Sequence, residues 1–196
     1  MVNWHMKVFP HPKKIKKKLL SEFAGKQILD LSRRRIFEDP KDLTDAQADG
    51  VHTMNEVNHD LTQFPWPIAD DAYDLIIFQN VIEQLPDTGK TFEELNRITK
   101  SKGKIFIETP HFTWFETYRH FNHCHRFSFC SFDHYHKGNP FYKTDFQIMD
   151  KYLFFDDLMF FLGIGFLANF FPRHYEKRLA FIFPATSFQV TLCVDK

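Results

Sequence analysis

The chain has 196 residues, 43% of them hydrophobic, with 25 Phe, 25 Lys+Arg against 25 Asp+Glu, and three cysteines. So many Phe, Ile and Leu side chains exclude a disordered chain. The cancelled charge excludes a global field drawing it to nucleic acid, so no nucleic-acid partner is expected. Cys124, Cys130 and Cys193 exclude the dense disulfide framework of small secreted scaffolds and point to a reducing, cytoplasmic setting.

Residues 1–12 lack the apolar run followed by small residues that a secretory signal requires, so export is not expected. Residues 12–25 follow as a basic amphipathic helix. Pro12 stands at a helix start, Ile15, Leu19, Leu20 and Phe23 recur at helical spacing, and Gly25 offers a stop. Its lysines, Lys13, Lys14, Lys16, Lys17 and Lys18, could touch phosphate or a membrane surface, although such a run is usually a solvated helix face. Residues 26–31 (KQILDL) read as a short buried strand, and 32–55 as a polar stretch without regular structure.

Residues 57–61 (VNHDL) suggest a second strand, and 64–74, rich in Pro and Asp, a loop. Residues 75–78 form a third strand. Residues 88–100 place Phe92, Leu95 and Ile98 on one face of a helix that Lys102 and Gly103 end. A fourth strand at 104–109 (KIFIET) stops at Pro110. Strands alternating with helices predict an α/β, Rossmann-like, doubly wound and mainly parallel sheet with helices on both faces. Such sheets bind ligands beyond the carboxyl ends of their strands.

From His111 to Tyr142 the chain is crowded with His and aromatic residues and has little period, which reads as an insertion after that strand, lying as a lid over the active face. Residues 146–155 are strand-like, 158–171 (LMFFLGIGFLANFF) helical, and 188–194 (FQVTLCV) a closing strand. The 158–171 run is shorter than the roughly 20 residues that cross a bilayer. It reads as a buried or dimer-forming helix, with an interfacial helix as the alternative. The whole, 1–196, is expected to be one domain.

Taken in order, several segments resemble a class I S-adenosylmethionine-dependent methyltransferase of the small, broad group called methyltransferase type 11. They are Asp60-Leu61, then Phe64-Pro65-Trp66-Pro67, the acidic turn and strand from Asp70 to Ile77, the Val81 to Leu85 segment, the Glu94 to Ile98 helix, and Gly103 to His111. The likeness covers about residues 26–111, and more loosely the tail from Tyr175 to Pro184. It implies a Rossmann-like methyltransferase domain that binds S-adenosylmethionine and transfers its methyl group to an unidentified small-molecule, glycan or lipid-linked acceptor. It further implies Asp60 and Leu61 at the adenine, and Phe78, Gln79 and Asn80 along the cofactor's other face. Asp30 and Ser32 stand where the first strand meets the cofactor, and Asp45, Asp49 and Glu56 are candidates for the acid that grips the ribose, Asp49 being the one chosen.

The chain departs from the family at one place that bears on the cofactor. The family's first strand enters a glycine-rich turn that lets the backbone approach the ligand. Here it enters Ser32-Arg33-Arg34-Arg35, with no glycine. The family's Glu-His-Leu segment also reads Glu83-Gln84-Leu85. The alternative is therefore a catalytically inactive member of the fold, a pseudoenzyme acting as a binding or interaction module.

The inserted segment carries the densest set of reactive side chains. His120, His123, Cys124 and His125, with His134 and His136, could offer a metal nitrogen and sulfur ligands, but the spacing is not that of a zinc finger. Phe121, Phe127, Phe129 and Phe132 suggest a packed aromatic lid instead, and no metal is assigned. For an acid-base group the choice falls on His111, which follows the fourth strand directly, or His123, which matches a His of related methyltransferases; His120 replaces an acid there. The lysine-rich helix and the Phe-rich helix together suggest a peripheral membrane contact, and Phe160, Phe161, Phe166, Phe170 and Phe171 suggest a homodimer.

Overall fold

A computed structural model of the chain describes residues 12–32, 51–53, 59–135, 144 and 146–196. Helix α1 (Pro12–Glu22) precedes β1 (Ile28–Asp30), β2 (Val51–Thr53) and β3 (Tyr73–Gln79). A short turn of 3-10 helix at Ile82–Gln84 leads to α2 (Thr88–Ile98) and the long β4 (Thr99–Pro110). Then come α3 (Glu116–Arg119), β5 (Phe146–Phe154), three short helices, α4 (Asp157–Phe161), α5 (Ile164–Phe170) and α6 (Pro172–Arg178), and β6 (Ser187–Val194).

The six strands form one sheet in the order β2-β1-β3-β4-β6-β5. β1 pairs in parallel with β2 on one side and β3 on the other, and β3 pairs in parallel with β4. Only β6 runs against its neighbours, β4 and β5. The expected doubly wound, mainly parallel sheet is what the chain forms. Strand order reverses between β1 and β3, so the crevice such sheets use for ligands opens at the carboxyl ends of those two strands.

The apolar runs explain the layers. Leu75 and Ile77 point to one face of β3 and pack with Ile28, Phe106, Leu19 and Phe23, so α1 covers that face. Ile76 and Phe78 point to the other, into a larger core with Ile105, Ile107, Phe92, Leu95 and Phe188. β3 and the central part of β4 are buried on both faces, and their residues are near-continuously apolar for that reason.

Two elements differ from the sequence expectation. The strand paired beyond β1 is Val51–Thr53, inside the stretch read as irregular, while residues 59–61 run without strand pairing and 54–58 lie outside the described residues. A three-residue strand at a sheet edge has too few side chains to show a period. The 158–171 helix is two helices, α4 and α5, because Gly163 takes a left-handed φ of 73° between them. A third helix, α6, follows at once with Pro172 at its start.

α5 is docked inside out. Asn169 lends both atoms of its amide to the edge strand: its Oδ1 accepts from Leu153 N at 2.7 Å and its Nδ2 donates to Leu153 O at 2.8 Å. That pairing covers an exposed strand edge. It also fixes which side of α5 faces in, and the residues buried there are Gly165 and Ala168.

Candidate functional site

At the mouth of the β1/β3 crevice Asp30 ends β1. Its Oδ1 accepts from Ser32 N at 2.9 Å, and its Oδ2 lies 3.1 Å from Lys16 Nζ of α1. The same ammonium donates to Gln79 Oε1, at the end of β3, over 3.3 Å. Gln79 Nε2 donates to Glu108 Oε2 at 2.9 Å, and Gln189 Nε2 donates to that same oxygen at 2.8 Å. A continuous polar row thus crosses the carboxyl ends of β1, β3 and β4 to β6, on the face that α1 covers with apolar residues lower down. The period of two along each strand puts it there: Asp30 follows Ile28, Gln79 follows Ile77, and Glu108 follows Phe106.

Ser32 Oγ is buried and has no hydrogen-bond partner among the described residues. Asn80, the residue after β3, holds a left-handed φ of 54°, a rare state for a residue other than glycine. Its N–H donates to Glu108 O at 2.8 Å and its carbonyl accepts from Gln84 Nε2 at 2.8 Å, so both sides of the bend are pinned. Of the residues chosen from sequence, Ser32, Asp30 and Gln79 are therefore linked through Lys16 at the carboxyl ends of β1 and β3, and Asn80 follows Gln79 directly. Asp49 lies outside the described residues, as do Asp45, Glu56 and the three arginines.

Asp60 is exposed and makes a tight turn, accepting from Thr62 N at 2.9 Å and from Thr62 Oγ1 at 2.8 Å. The N–H of Thr62, then its hydroxyl, hold this carboxyl below its ordinary range. Leu61 and Phe78 are buried side chains of the large core, both close to Trp66: Leu61 O accepts from the indole N–H at 3.1 Å, and the Phe78 and Trp66 rings lie 6.5 Å apart. The loop that carries Asp60 is held from α2. Arg97 donates to Asp70 Oδ1 at 2.6 Å, Ile68 O at 2.6 Å and Trp66 O at 3.0 Å, and pairs with Glu94, which also accepts from Trp66 N at 2.7 Å. Burial pushes Glu94 upward, but the hydrogen bonds from Arg97 and from Trp66 N outweigh it and its carboxyl stays below the ordinary value. Glu94 and Arg97 are a clamp on this loop, a role that their helical spacing alone did not disclose.

The segment 111–135 is built against the turn after β3. The Cys124 and His125 N–H groups both donate to Glu83 O, at 2.7 and 3.1 Å, and Asn122 Nδ2 donates to Gln84 Oε1 at 2.6 Å. Behind them Glu83 is buried. Its Oε2 accepts from Thr109 Oγ1 at 3.0 Å, its Oε1 has no hydrogen bond among the described residues, and His123 Nε2 stands 3.9 Å from that Oε1. Burial raises the Glu83 carboxyl to about 7, although the hydrogen bonds it accepts oppose this. The other ring nitrogen of His123, Nδ1, lies 3.2 Å from Thr117 O, which can only accept and so fixes the ring's orientation. Glu83 was not among the residues chosen from sequence; burial of an acid cannot be read from an apolar flank alone.

His111 is fully buried. Its Nδ1 is 2.7 Å from Thr113 Oγ1 and its Nε2 3.2 Å from Glu176 Oε1, so both ring nitrogens face partners inside the protein. Glu176, on α6, also accepts from Phe129 N at 2.5 Å. Burial raises its carboxyl, yet the hydrogen bonds from His111 and Phe129 N leave it below its ordinary value. Among the described residues no group of three or more His, Cys, Asp and Glu is placed to hold a metal ion. No described helix is long and apolar enough to cross a membrane.

Residues 28–107 match the family described as methyltransferase domain. No curated protein is detectably similar in sequence. Solved structures share the architecture. The YcgJ protein from Bacillus subtilis is 13% identical, with a TM-score of 0.56, over 92% of this chain and 97% of that one. A SAM-dependent methyltransferase from Archaeoglobus fulgidus is 15% identical, with a TM-score of 0.51, over 92% and 94%. An S-adenosylmethionine-dependent methyltransferase from Mesorhizobium loti is 11% identical, with a TM-score of 0.52, over 92% and 96%. At such identities the likeness speaks for the fold.

Proposed function

We propose that this chain, which has the fold of the class I S-adenosylmethionine-dependent methyltransferases and carries a methyltransferase domain, binds S-adenosylmethionine and methylates a small-molecule, glycan or lipid-linked acceptor. The observation that carries the reading is the opening between β1 and β3, where Asp30, Lys16, Ser32 and Gln79 converge. The donor set fits the cofactor's amino-acid end. A carboxylate and an ammonium meet there as a pair, ready to exchange partners with the ammonium and carboxylate of methionine, and Ser32 Oγ, which has no partner among the described residues, is a group such a ligand could satisfy. Asp60, exposed on the turn it makes with Thr62, is the residue for the adenine on this reading, with Gln79 and Asn80 along the cofactor's other face.

When bound, the cofactor supplies a methyl group already activated by a positive sulfur. What remains for the protein is alignment, exclusion of water and removal of a proton from the acceptor. The lid over the opening is, on this reading, segment 111–135, which is held to the 82–84 turn. Of the two histidines we take His123 as the acid-base group, because its Nε2 stands 3.9 Å from Glu83 Oε1, on an acid whose carboxyl burial raises to about 7, whereas the Nε2 of fully buried His111 lies 3.2 Å from Glu176 Oε1.

One observation favours the second reading, a binding module without catalysis: the ammonium of Lys16 already satisfies Asp30 and Gln79. Calorimetric titration with S-adenosylmethionine and S-adenosylhomocysteine separates the two. Saturable heat with both ligands is expected, and none with either leaves only the module. Replacing His123 by Ala is expected to stop turnover of an identified acceptor while the calorimetric affinity for S-adenosylhomocysteine stays unchanged; full turnover removes His123 from the role.

A further inference from the structure

Glu83 meets segment 111–135 twice, once with its backbone and once with its side chain. Its carbonyl accepts from Cys124 N and His125 N, and beside it Asn122 Nδ2 donates to Gln84 Oε1 while His125 Nε2 lies 3.1 Å from Pro86 O. Residues 122–125 are thereby laid along residues 83–86, and the approach of His123 to the Glu83 carboxyl follows from that register. Glu83 is 2% exposed. Thr109 Oγ1, from β4, donates to one carboxyl oxygen, Oε2, while the other, Oε1, has no hydrogen bond among the described residues and lies 3.9 Å from His123 Nε2. A buried acid with an unsatisfied oxygen costs free energy and calls for a reason beyond packing.

The orientation of His123 supplies that reason. Its side chain is 6% exposed. Nδ1 lies 3.2 Å from Thr117 O, an atom that only accepts, so Nδ1 carries the ring's hydrogen and Nε2 is the nitrogen that takes or gives a proton. Thr117 is itself tied to the end of β4, its hydroxyl donating to His111 O at 3.0 Å. The gap from Nε2 to Glu83 Oε1 exceeds a hydrogen bond by about 1 Å, close enough for opposite charges to attract where both side chains are buried. Burial pushes the Glu83 carboxyl up to about 7, and the charge of Glu108 on β4 acts in the same direction. Imidazoles titrate in that range as well. His123 also has the His120 ring beside it, with centroids 5.1 Å apart, and His120 Nε2 lies 3.3 Å from Glu116 Oε2 on α3.

We infer that Glu83 is the positioning residue of the proposed acid-base site: held by Thr109, its carboxylate fixes His123 over the 82–84 turn and stabilises the imidazolium that forms when Nε2 takes a proton. The inference rests on the reading of His123 as the acid-base group, but its test needs neither cofactor nor acceptor. The imidazole signals of the ligand-free, full-length protein are followed by NMR as pH is varied, with His123 assigned by its loss in His123→Ala. In the wild type His123 is expected to titrate in two steps, because its proton is coupled to that of Glu83. In Glu83→Gln, which keeps an oxygen for the Thr109 hydroxyl, a single step is expected, with its midpoint lower by about one pH unit or more. A midpoint that Glu83→Gln does not lower overturns the inference. So does a single step in the wild type, a result that stands even where the variant fails to fold. With an identified acceptor, Glu83→Gln is expected to lower kcat by up to about tenfold, the factor that one pH unit of basicity represents, and to leave KM and the affinity for S-adenosylhomocysteine unchanged. An unaltered kcat at every pH also overturns it. Absence of calorimetric heat with S-adenosylhomocysteine, beside a His123 titration that shifts as expected, removes the methyl-transfer reading alone.

Discussion

Single side chains decide how the opening between β1 and β3 can be used. Lys16 and Asp30 are 14 residues apart in sequence and 3.1 Å apart in space, with side chains 29% and 18% exposed. If the pair receives the amino-acid end of the cofactor, Lys16→Ala weakens S-adenosylhomocysteine binding by about tenfold or more, since charge-assisted hydrogen bonds are worth roughly 1.5–3 kcal/mol. Binding of methylthioadenosine, which lacks that end, stays the same. Tighter binding of both ligands by Lys16→Ala marks the lysine as an obstruction instead. Glu83 gives a pH-dependent prediction. Burial pushes its carboxyl up to about 7 from the ordinary 4.5, so between those values the folded state holds a proton that the unfolded chain has released. Glu83 therefore lowers stability progressively as pH rises from 4.5 to about 7, and the loss is complete above that range. Glu83→Gln, which keeps an oxygen for the Thr109 hydroxyl, is expected to raise stability above pH 7 by up to about 3 kcal/mol and to leave it unaltered below about pH 4. Urea unfolding across that range checks it; a difference that does not vary with pH contradicts it.

At the scale of elements, the loop from Leu61 to Ala72 has little regular structure of its own and depends on α2. Arg97 alone contacts three groups of that loop, while Glu94 holds Arg97 and the Trp66 N–H. Arg97→Ala leaves a nearly buried Glu94 carboxylate without its cation, and the expected cost is about 2–4 kcal/mol. The measurable signs are a lower midpoint of unfolding and faster proteolysis of the loop; a variant with wild-type stability shows that the clamp is dispensable. The acids and prolines of this loop announced a turn region, and Phe92, Leu95 and Ile98 announced the helix. The bond between them spans 27 residues in the Arg97–Asp70 pair, beyond the reach of any local period. The same limit applies to the helix read over 158–171: its apolar content was plain, but a single left-handed glycine, Gly163, divided it.

Across the whole molecule, protection is expected to be uneven. β3, β4 and β6 are central, apolar and covered, whereas α4, α5 and α6 are short and touch the sheet mainly through Gly165, Ala168, Asn169 and Tyr175. Amide hydrogen exchange is expected to be slowest in β3 and β4 and faster by orders of magnitude in α4 to α6. Equal protection in both regions removes the view of those helices as an appended face. The amino-acid sequence by itself determined the centre of the sheet, though not its edge strand β2, because buried parallel strands need runs of apolar residues and the helices between them show their covering side at every third or fourth position. It also marked where β1 and β3 end, near Asp30 and Gln79, since a strand ends where an apolar run turns polar. Only the tertiary structure decided that Lys16 reaches those ends, that His111 is enclosed by Glu176 while His123 stands over Glu83, and that the richest run of Phe faces outward. Those outcomes depend on pairings between distant segments and on which side of a helix a single polar group such as Asn169 turns inward, and neither leaves a repeat along the chain.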